Sequence, residues 1–362
     1  MGASLGGYRS TVDLAALTAS GEVFSEGGRH VRAWVVDHTA PADERPLRRI
    51  ERAEPQPGAG EVRISISCCG VCRTDLHLAE GDLPPRRPEM TPGHEVVGRI
   101  DALGPGADRF AVGARVGVPW LGGTDGSCRF CRRGAENLCL APTFTGWDVH
   151  GGYADGCVAD EAYVYELPAA LDDEHAAPLL CAGIIGYRAL RRAQVPQGGR
   201  LGIYGFGGSA HIIAQVALRQ GLRVHVLTRG EGNRKLAAEL GVDSVGDAAD
   251  SPPEPLDSAI LFAPAGDLVP VALRALDRGG TLAIAGIWLS DIPVLSYEGE
   301  LFEERQVRSV TANTRQDGEE FLALAARFGI RPTTVPYPMA RADDALADLS
   351  HGRFSGAAVL HN

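Results

Sequence analysis

The chain has 362 residues, 44% of them hydrophobic, and a formal net charge of −11. That length suits two domains with adequate cores, and the negative charge argues against nucleic acid and anionic membrane as partners. No apolar run approaches the ~18 residues of a membrane span. Residues 1–30 lack a basic segment followed by a continuous apolar one, so they are expected to form a loose N-terminal extension to a cytoplasmic protein. Lysine occurs once, at Lys235, against 34 arginines (35 basic residues minus one). With such a bias, an arginine is weak support for a geometric role.

From Val31 to about Leu180 the pattern is one of short strands between Gly/Pro turns. Glu61–Ser67 shows the period-two alternation of a half-buried strand, and a short helix is expected from Thr74. Eight cysteines lie at 68, 69, 72, 128, 131, 139, 157 and 181. Without an export signal they suggest metal ligands before disulfides. Cys68, Cys69 and Cys157 fit no ligand spacing and are expected to be small buried residues. Cys72, His94 and Cys181 form a different set. Two thiols and an imidazole on three separate segments are too scattered for a zinc finger, but suit a catalytic zinc with three protein ligands and one open position.

From about Ile184 the rhythm becomes strand, helix, strand. Leu201–Tyr204, Val224–Leu227, Ser258–Phe262 and Thr281–Ala285 are largely apolar, as buried parallel strands should be. Helical stretches such as His211–Gln220 and Arg234–Leu240 lie between them. Directly after the first strand comes Gly205-Phe206-Gly207-Gly208-Ser209-Ala210. Gly205 permits the tight turn, Gly207 lets the backbone approach a pyrophosphate, and Ala210 takes the third glycine's place. NAD enzymes carry Asp or Glu at the end of the second strand to bind the ribose hydroxyls. Here that position is Thr228, followed by Arg229, and Arg234 and Lys235 follow soon after. The expectation is NADP(H) in preference to NAD(H).

An open zinc site beside a dinucleotide turn, in this order along the chain, resembles the zinc-dependent alcohol dehydrogenases of the medium-chain dehydrogenase/reductase superfamily. The likeness runs from about Val31 to the C-terminus. It implies an α/β protein in which a Rossmann doubly wound parallel-sheet domain, 184–311, is inserted in a mainly β, GroES-like catalytic domain, 31–183 and 312–362. It implies further roles by position. Asp75 would hydrogen-bond the zinc-bound imidazole, Glu95 would stand beside the metal, and Arg73 would meet the cofactor pyrophosphate. Thr74 and His77 would relay the proton that accompanies hydride transfer, a task their hydroxyl and imidazole suit. Trp120, with Trp147 after Phe144, would line an apolar substrate pocket.

The same likeness frames Cys128, Cys131 and Cys139, which have the spacing of a structural zinc lobe normally built from four cysteines. Asp125 stands where the first is due. A carboxylate oxygen can ligate zinc, so a second, structural Zn2+ is expected; loss of the metal, with the loop held by packing, is the alternative. The expected activity is hydride transfer between NADP(H) and an apolar alcohol or aldehyde, in a homodimer or homotetramer. Reduction of a conjugated carbon–carbon double bond is the second enzymatic reading, and a non-catalytic cofactor-binding protein a third. The relay residues argue against the second, and the complete ligand set against the third.

Overall fold

Strand Glu61–Val71 organises the first half of the chain. Val62, Ile64 and Ile66 alternate onto a buried face as period-two patterning requires, and Cys68–Val71 are buried throughout. The strand therefore runs four residues beyond the expected Ser67 and ends directly before Cys72. In this computed structural model, which describes residues 29–286 and 288–362, it lies inside a seven-stranded sheet. The expected N-terminal extension thus lies outside the described residues, apart from Arg29 and His30.

Across this sheet the order is Thr334–Pro338, Ala357–His361, Glu61–Val71, Val96–Leu103, Arg115–Val118 and Tyr165–Glu166, with Gly156–Asp160 also paired to Glu61–Val71. All pairings are antiparallel except that of Thr334–Pro338 with Ala357–His361. The C-terminal residues thus return to the first sheet after the chain has built a second one.

The second sheet is wholly parallel. In chain order its strands are Arg200–Tyr204, Arg223–Leu227, Ser244–Gly246, Leu256–Leu261, Leu276–Ile284 and Gln306–Ser309. In space they lie third, second, first, fourth, fifth, sixth. This is the doubly wound Rossmann order, with its switch point between Arg200–Tyr204 and Leu256–Leu261. Leu201, Ile203, Val224 and Val226 pack with helices Ile184–Ala193 and Gly208–Arg219 on one face. Tyr204, Leu227 and Leu261 pack with helix Leu268–Ala275 on the other. Helices thus cover both faces, which explains the near-continuous apolar strands.

Two segments differ from expectation. Helix Asp173–Pro178, capped by the Asp172 carboxylate, continues into a π-helical turn at Leu179–Gly183. The six-residue helix ends in a proline and is too short to show a 3.6-residue period. Helix Arg315–Phe328, assigned from sequence to the catalytic return, sends Phe321, Leu322 and Ala325 into the core shared with Ile184–Ala193 and Gly208–Arg219.

Candidate active site

Three chain segments meet at the end of Glu61–Val71. Its pairing with Val96–Leu103 sets Cys69 opposite Val96, so Cys72 and His94 emerge at the same end of the ladder. Cys72 caps helix Arg73–Glu80, one residue earlier than the expected start, and Asp75 completes a capping box with it. Cys181 comes from the π turn at Leu179–Gly183, an insertion that often marks functional positions. Cys68, one of the three cysteines without a ligand spacing, donates its thiol to the carbonyl of Asp173 (3.3 Å) and ties this helix to the strand. Cys69 and Cys157 are likewise buried.

The Cys72 and Cys181 sulfurs lie 3.9 Å apart. Ligand atoms of Cys72, His94, Glu95 and Cys181 all fall within 4.8 Å of one another. A hydrogen bond from Cys181 is the main reason the Cys72 thiol sits well below its ordinary range, with further help from His94 against the cost of burial. Both ring nitrogens of His94 and Oε2 of Glu95 are buried without a hydrogen-bond partner. Unpartnered buried polar atoms are costly, and a cation at this point would satisfy them. Two thiolates and an imidazole fit zinc with one position left open.

Asp75 is almost wholly buried and supports this centre from behind. Its Oδ2 accepts the Cys72 N–H (2.9 Å), and its Oδ1 accepts the Gly93 N–H (2.9 Å). Oδ1 also stands 3.2 Å from His94 Nδ1, within ion-pair distance but not aligned as a hydrogen bond. The Tyr153 hydroxyl reaches Oδ2 at 3.3 Å, a partner the sequence did not suggest. Burial raises the Glu95 carboxyl well above its usual range, with the Cys72 charge adding to the effect.

Thr74 is buried, with Oγ1 3.8 Å from Cys72 Sγ. His77 lies one turn further along the same helix, and its Nδ1 is 3.0 Å from the half-exposed Asp82 carboxylate. Arg73 is exposed at the helix start. Trp120 sets its ring in a T-shaped contact with His94, centroids 4.9 Å apart, and stacks on Phe144 at 4.8 Å and Trp147 at 6.1 Å. The Arg86 guanidinium covers Trp147 at 3.7 Å and pairs with Asp148, whose carboxylate also accepts the Phe144 N–H. Arg86 lies on an irregular segment with no periodic pattern, so sequence gave no sign of it.

The glycine-rich turn follows strand Arg200–Tyr204 at the switch point. Gly205 has φ +85°, and a Cβ there would lie 2.9 Å from that of Ala263, so both conformation and space require glycine. A Cβ on Gly207 would meet nothing within 4 Å. That open approach to the start of helix Gly208–Arg219 suits a pyrophosphate. Ala210 is fully buried, packed rather than facing the opening. At the end of the second strand Thr228 is buried and Arg229 exposed. Arg234 is engaged: its guanidinium is 3.1 Å from Asp247 and 3.4 Å from the Thr228 carbonyl. Sequence did not reveal that Asp247, at the end of the third strand, brings a carboxylate to this corner.

The second cluster also assembles. Asp125, Cys128, Cys131 and Cys139 offer ligand atoms within 4.8 Å of one another. Asp125 Oδ1 accepts the N–H groups of Cys128 (2.8 Å) and Ser127 (2.9 Å), which hold its carboxyl at about 2. The Asp125 N–H in turn donates to Cys139 Sγ (3.3 Å). An ionised carboxylate among three sulfurs fits a zinc donor set.

Residues 58–169 match the alcohol dehydrogenase GroES-like domain. Over 333 residues the chain is 56% identical to a Mycobacterium tuberculosis protein described as "probable alcohol dehydrogenase AdhA", covering 91% of this chain and 96% of that one. This chain belongs to the zinc-dependent alcohol dehydrogenases of the medium-chain superfamily. An alcohol dehydrogenase of Geobacillus stearothermophilus is 35% identical over 88% of this chain and 96% of its own length. Among solved structures, a cinnamyl alcohol dehydrogenase of Sorghum bicolor superposes with a TM-score of 0.83 at 26% identity, covering 92% of this chain and 98% of that one. The CAD of Helicobacter pylori, solved with NADP(H), gives the same values. The alcohol dehydrogenase fold thus has the expected architecture, a GroES-like β domain with a Rossmann sheet, and the enzyme acts on small-molecule alcohols.

Proposed function

We propose that this alcohol dehydrogenase interconverts an apolar alcohol and its aldehyde with NADP(H) in preference to NAD(H). Cys72, His94 and Cys181 would hold the catalytic zinc, and Asp125, Cys128, Cys131 and Cys139 a structural one. Bound there, the metal supplies Lewis acidity toward the substrate oxygen, and the dinucleotide supplies the hydride acceptor or donor. The observation that carries this reading is the convergence of two thiols and the unpartnered His94 ring beside an aromatic wall.

The chain's own residues do the rest. Asp75 holds the Cys72 and Gly93 backbones together, which fixes the separation of two ligands. Glu95 supplies a carboxyl beside them, held toward its neutral form by burial. Thr74 takes or returns the substrate proton in the buried site, and His77 passes it outward toward Asp82 and water. Trp120, Phe144 and Trp147 stack on one another beside His94 and would line the substrate pocket, which favours apolar substrates over polyols. Arg73 and the turn of Gly205, Gly207, Gly208 and Ala210 would receive the pyrophosphate. Thr228, lacking a carboxylate, and the exposed Arg229 would accept a 2′-phosphate, an advantage that Asp247 partly offsets.

The division 31–183, 184–311 and 312–362 is supported by the two sheets, which draw their strands from those ranges. A homodimer or homotetramer is supported by exposed Val294, Tyr297 and Phe302 near the open edge strand Gln306–Ser309. The cytoplasmic assignment is supported by cysteines that cluster as metal ligands rather than pair as disulfides. No helix among the described residues is long and apolar enough to cross a membrane. A panel of alcohols, aldehydes and conjugated enals, assayed with both dinucleotides, tests the reading. Turnover should be highest with an apolar aldehyde and NADPH; saturation of an enal double bond as the main reaction would contradict it.

A further inference from the structure

His211 lies one turn into helix Gly208–Arg219 and is fully buried. Its Nδ1 is 3.1 Å from the carbonyl oxygen of Gly207, and its Nε2 accepts the Thr333 N–H at 3.0 Å. A carbonyl oxygen can only accept and an amide N–H can only donate, so the two bonds together specify one species: a neutral ring protonated on Nδ1. One turn further, Gln215 donates to the Arg331 carbonyl (2.9 Å) and accepts the Arg331 N–H (3.2 Å). Two side chains of the helix thus bind the backbone of Arg331–Thr333, the segment that leads the chain back to the catalytic sheet.

That segment carries the connection on to the glycine-rich turn. The Thr333 carbonyl accepts the Ala357 N–H (2.9 Å), and Gly356, with φ +97°, lies so close to it that a Cβ would collide with its oxygen. The Gly356 carbonyl is 3.8 Å from where a Cβ on Gly208 would stand, and Ser355 Oγ is 3.1 Å from the equivalent point on Gly232. Residues 355–356 therefore border both the turn and the start of helix Glu231–Glu239 after the second strand. The circuit from Gly207 through His211 and Thr333 to Gly356 closes back on Gly208.

We propose that His211 is a positioning residue for the dinucleotide: its imidazole fixes the Gly207 carbonyl on one side and, through Thr333, holds Ser355–Gly356 beside the turn on the other. This rests on the turn being the dinucleotide cradle. Removing the Thr333 bond frees the returning segment and weakens cofactor binding, with little effect on the step that follows once cofactor saturates.

Three variants of the full-length zinc-loaded enzyme separate the two bonds. His211→Gln can put an amide oxygen where Nε2 now lies and keep the Thr333 bond. His211→Asn reaches only the Nδ1 position, and His211→Leu keeps neither. Equilibrium titration with NADP+ and with NAD+ should show Kd raised about fivefold in the Asn variant, the effect of losing one hydrogen bond, and at least as much in the Leu variant, which loses both. The Gln variant should stay within about twofold of the parent, as expected if that bond is kept. The Thr333 amide should exchange with deuterium faster in the Asn and Leu variants, even without cofactor, while kcat at saturating cofactor stays near the parent value. Unchanged Kd in all three variants would overturn the proposal. So would a Kd rise in all three, Gln included, that simply follows their loss of thermal stability. Gly207→Val serves as a control: if its Kd is unchanged, the turn is not the cradle, and the underlying reading fails independently of His211.

Discussion

Asp75 and His94 face each other across 3.2 Å in the interior, and the same carboxylate accepts the backbone N–H groups of Cys72 and Gly93. One side chain thereby sets the spacing of two proposed zinc ligands that are 22 residues apart in the sequence. Asp75→Asn should lower metal affinity about 10- to 100-fold, because an amide cannot accept both N–H groups and stabilise the imidazole equally well. Competition with a chelator, followed by metal analysis, measures this. Parental zinc retention would show that Asp75 only caps its helix.

The second lobe makes a separate demand on Asp125. Asp125→Ala should remove about one zinc per chain and lower Tm, since a metal held only by the folded state adds to its stability. Asp125→Cys should retain it, as thiolate is a good zinc ligand. Elemental analysis with thermal melting decides between this and a lobe held by packing alone, for which neither quantity would change.

The proposed preference for NADP(H) rests on the corner at the end of the second strand. Thr228→Asp with Arg229→Ile should move the kcat/KM ratio of NADPH to NADH toward NADH by at least roughly tenfold, about what one charged hydrogen bond to phosphate supplies. The Arg234–Asp247 pair leaves Arg229 as the main cation at this corner without a carboxylate partner among the described residues. A parent enzyme that already prefers NADH would refute the reading of this corner without touching the zinc chemistry.

Acid stability should report on His211. Burial pushes its imidazole down to about 4, against weak support from the Gly207 and Gly208 backbone. The unfolded chain takes up that proton near pH 6.5, whereas the native state does so only near 4. The stability involved is complete above about pH 6.5 and is lost as pH falls toward 4, up to about 3 kcal/mol at about 1.4 per unit. His150, also held at about 4 by burial, adds in the same direction, less so because its ring is partly open to solvent. Urea unfolding of His211→Leu should therefore show a shallower decline than the parent between pH 6.5 and 4.5. Parallel declines would mean the ring takes up its proton at the same pH in the native and unfolded states.

Much of this arrangement was legible in the sequence where chemistry and spacing were local. The short helix after Cys72 was legible because its residues are contiguous, although the capping box of Cys72 and Asp75 was not, and the Gly205–Ala210 turn because backbone constraint restricts residue choice. Partners from distant segments were not legible. Tyr153 beside Asp75, Arg86 over Trp147 and Thr333 on His211 are long-range contacts set by how the two sheets and their connections pack. In the sequence His211 stands out only as the first residue of the helical stretch His211–Gln220. A histidine four residues after the second glycine of a dinucleotide turn, on the buried side of its helix, is the signal that could have singled it out. The Cys181 turn was hidden for another reason: a π insertion has no sequence period.

Cys72, His94 and Cys181 are proposed to hold a metal that acts on substrate rather than on folding. Zinc content and alcohol turnover of Cys181→Ser, measured on one preparation beside the parent, test it most directly. The parent should carry about two zinc ions per chain and the variant about one, with near-parental Tm and turnover reduced by about a thousandfold or more. Parental turnover with zinc content unchanged would contradict it.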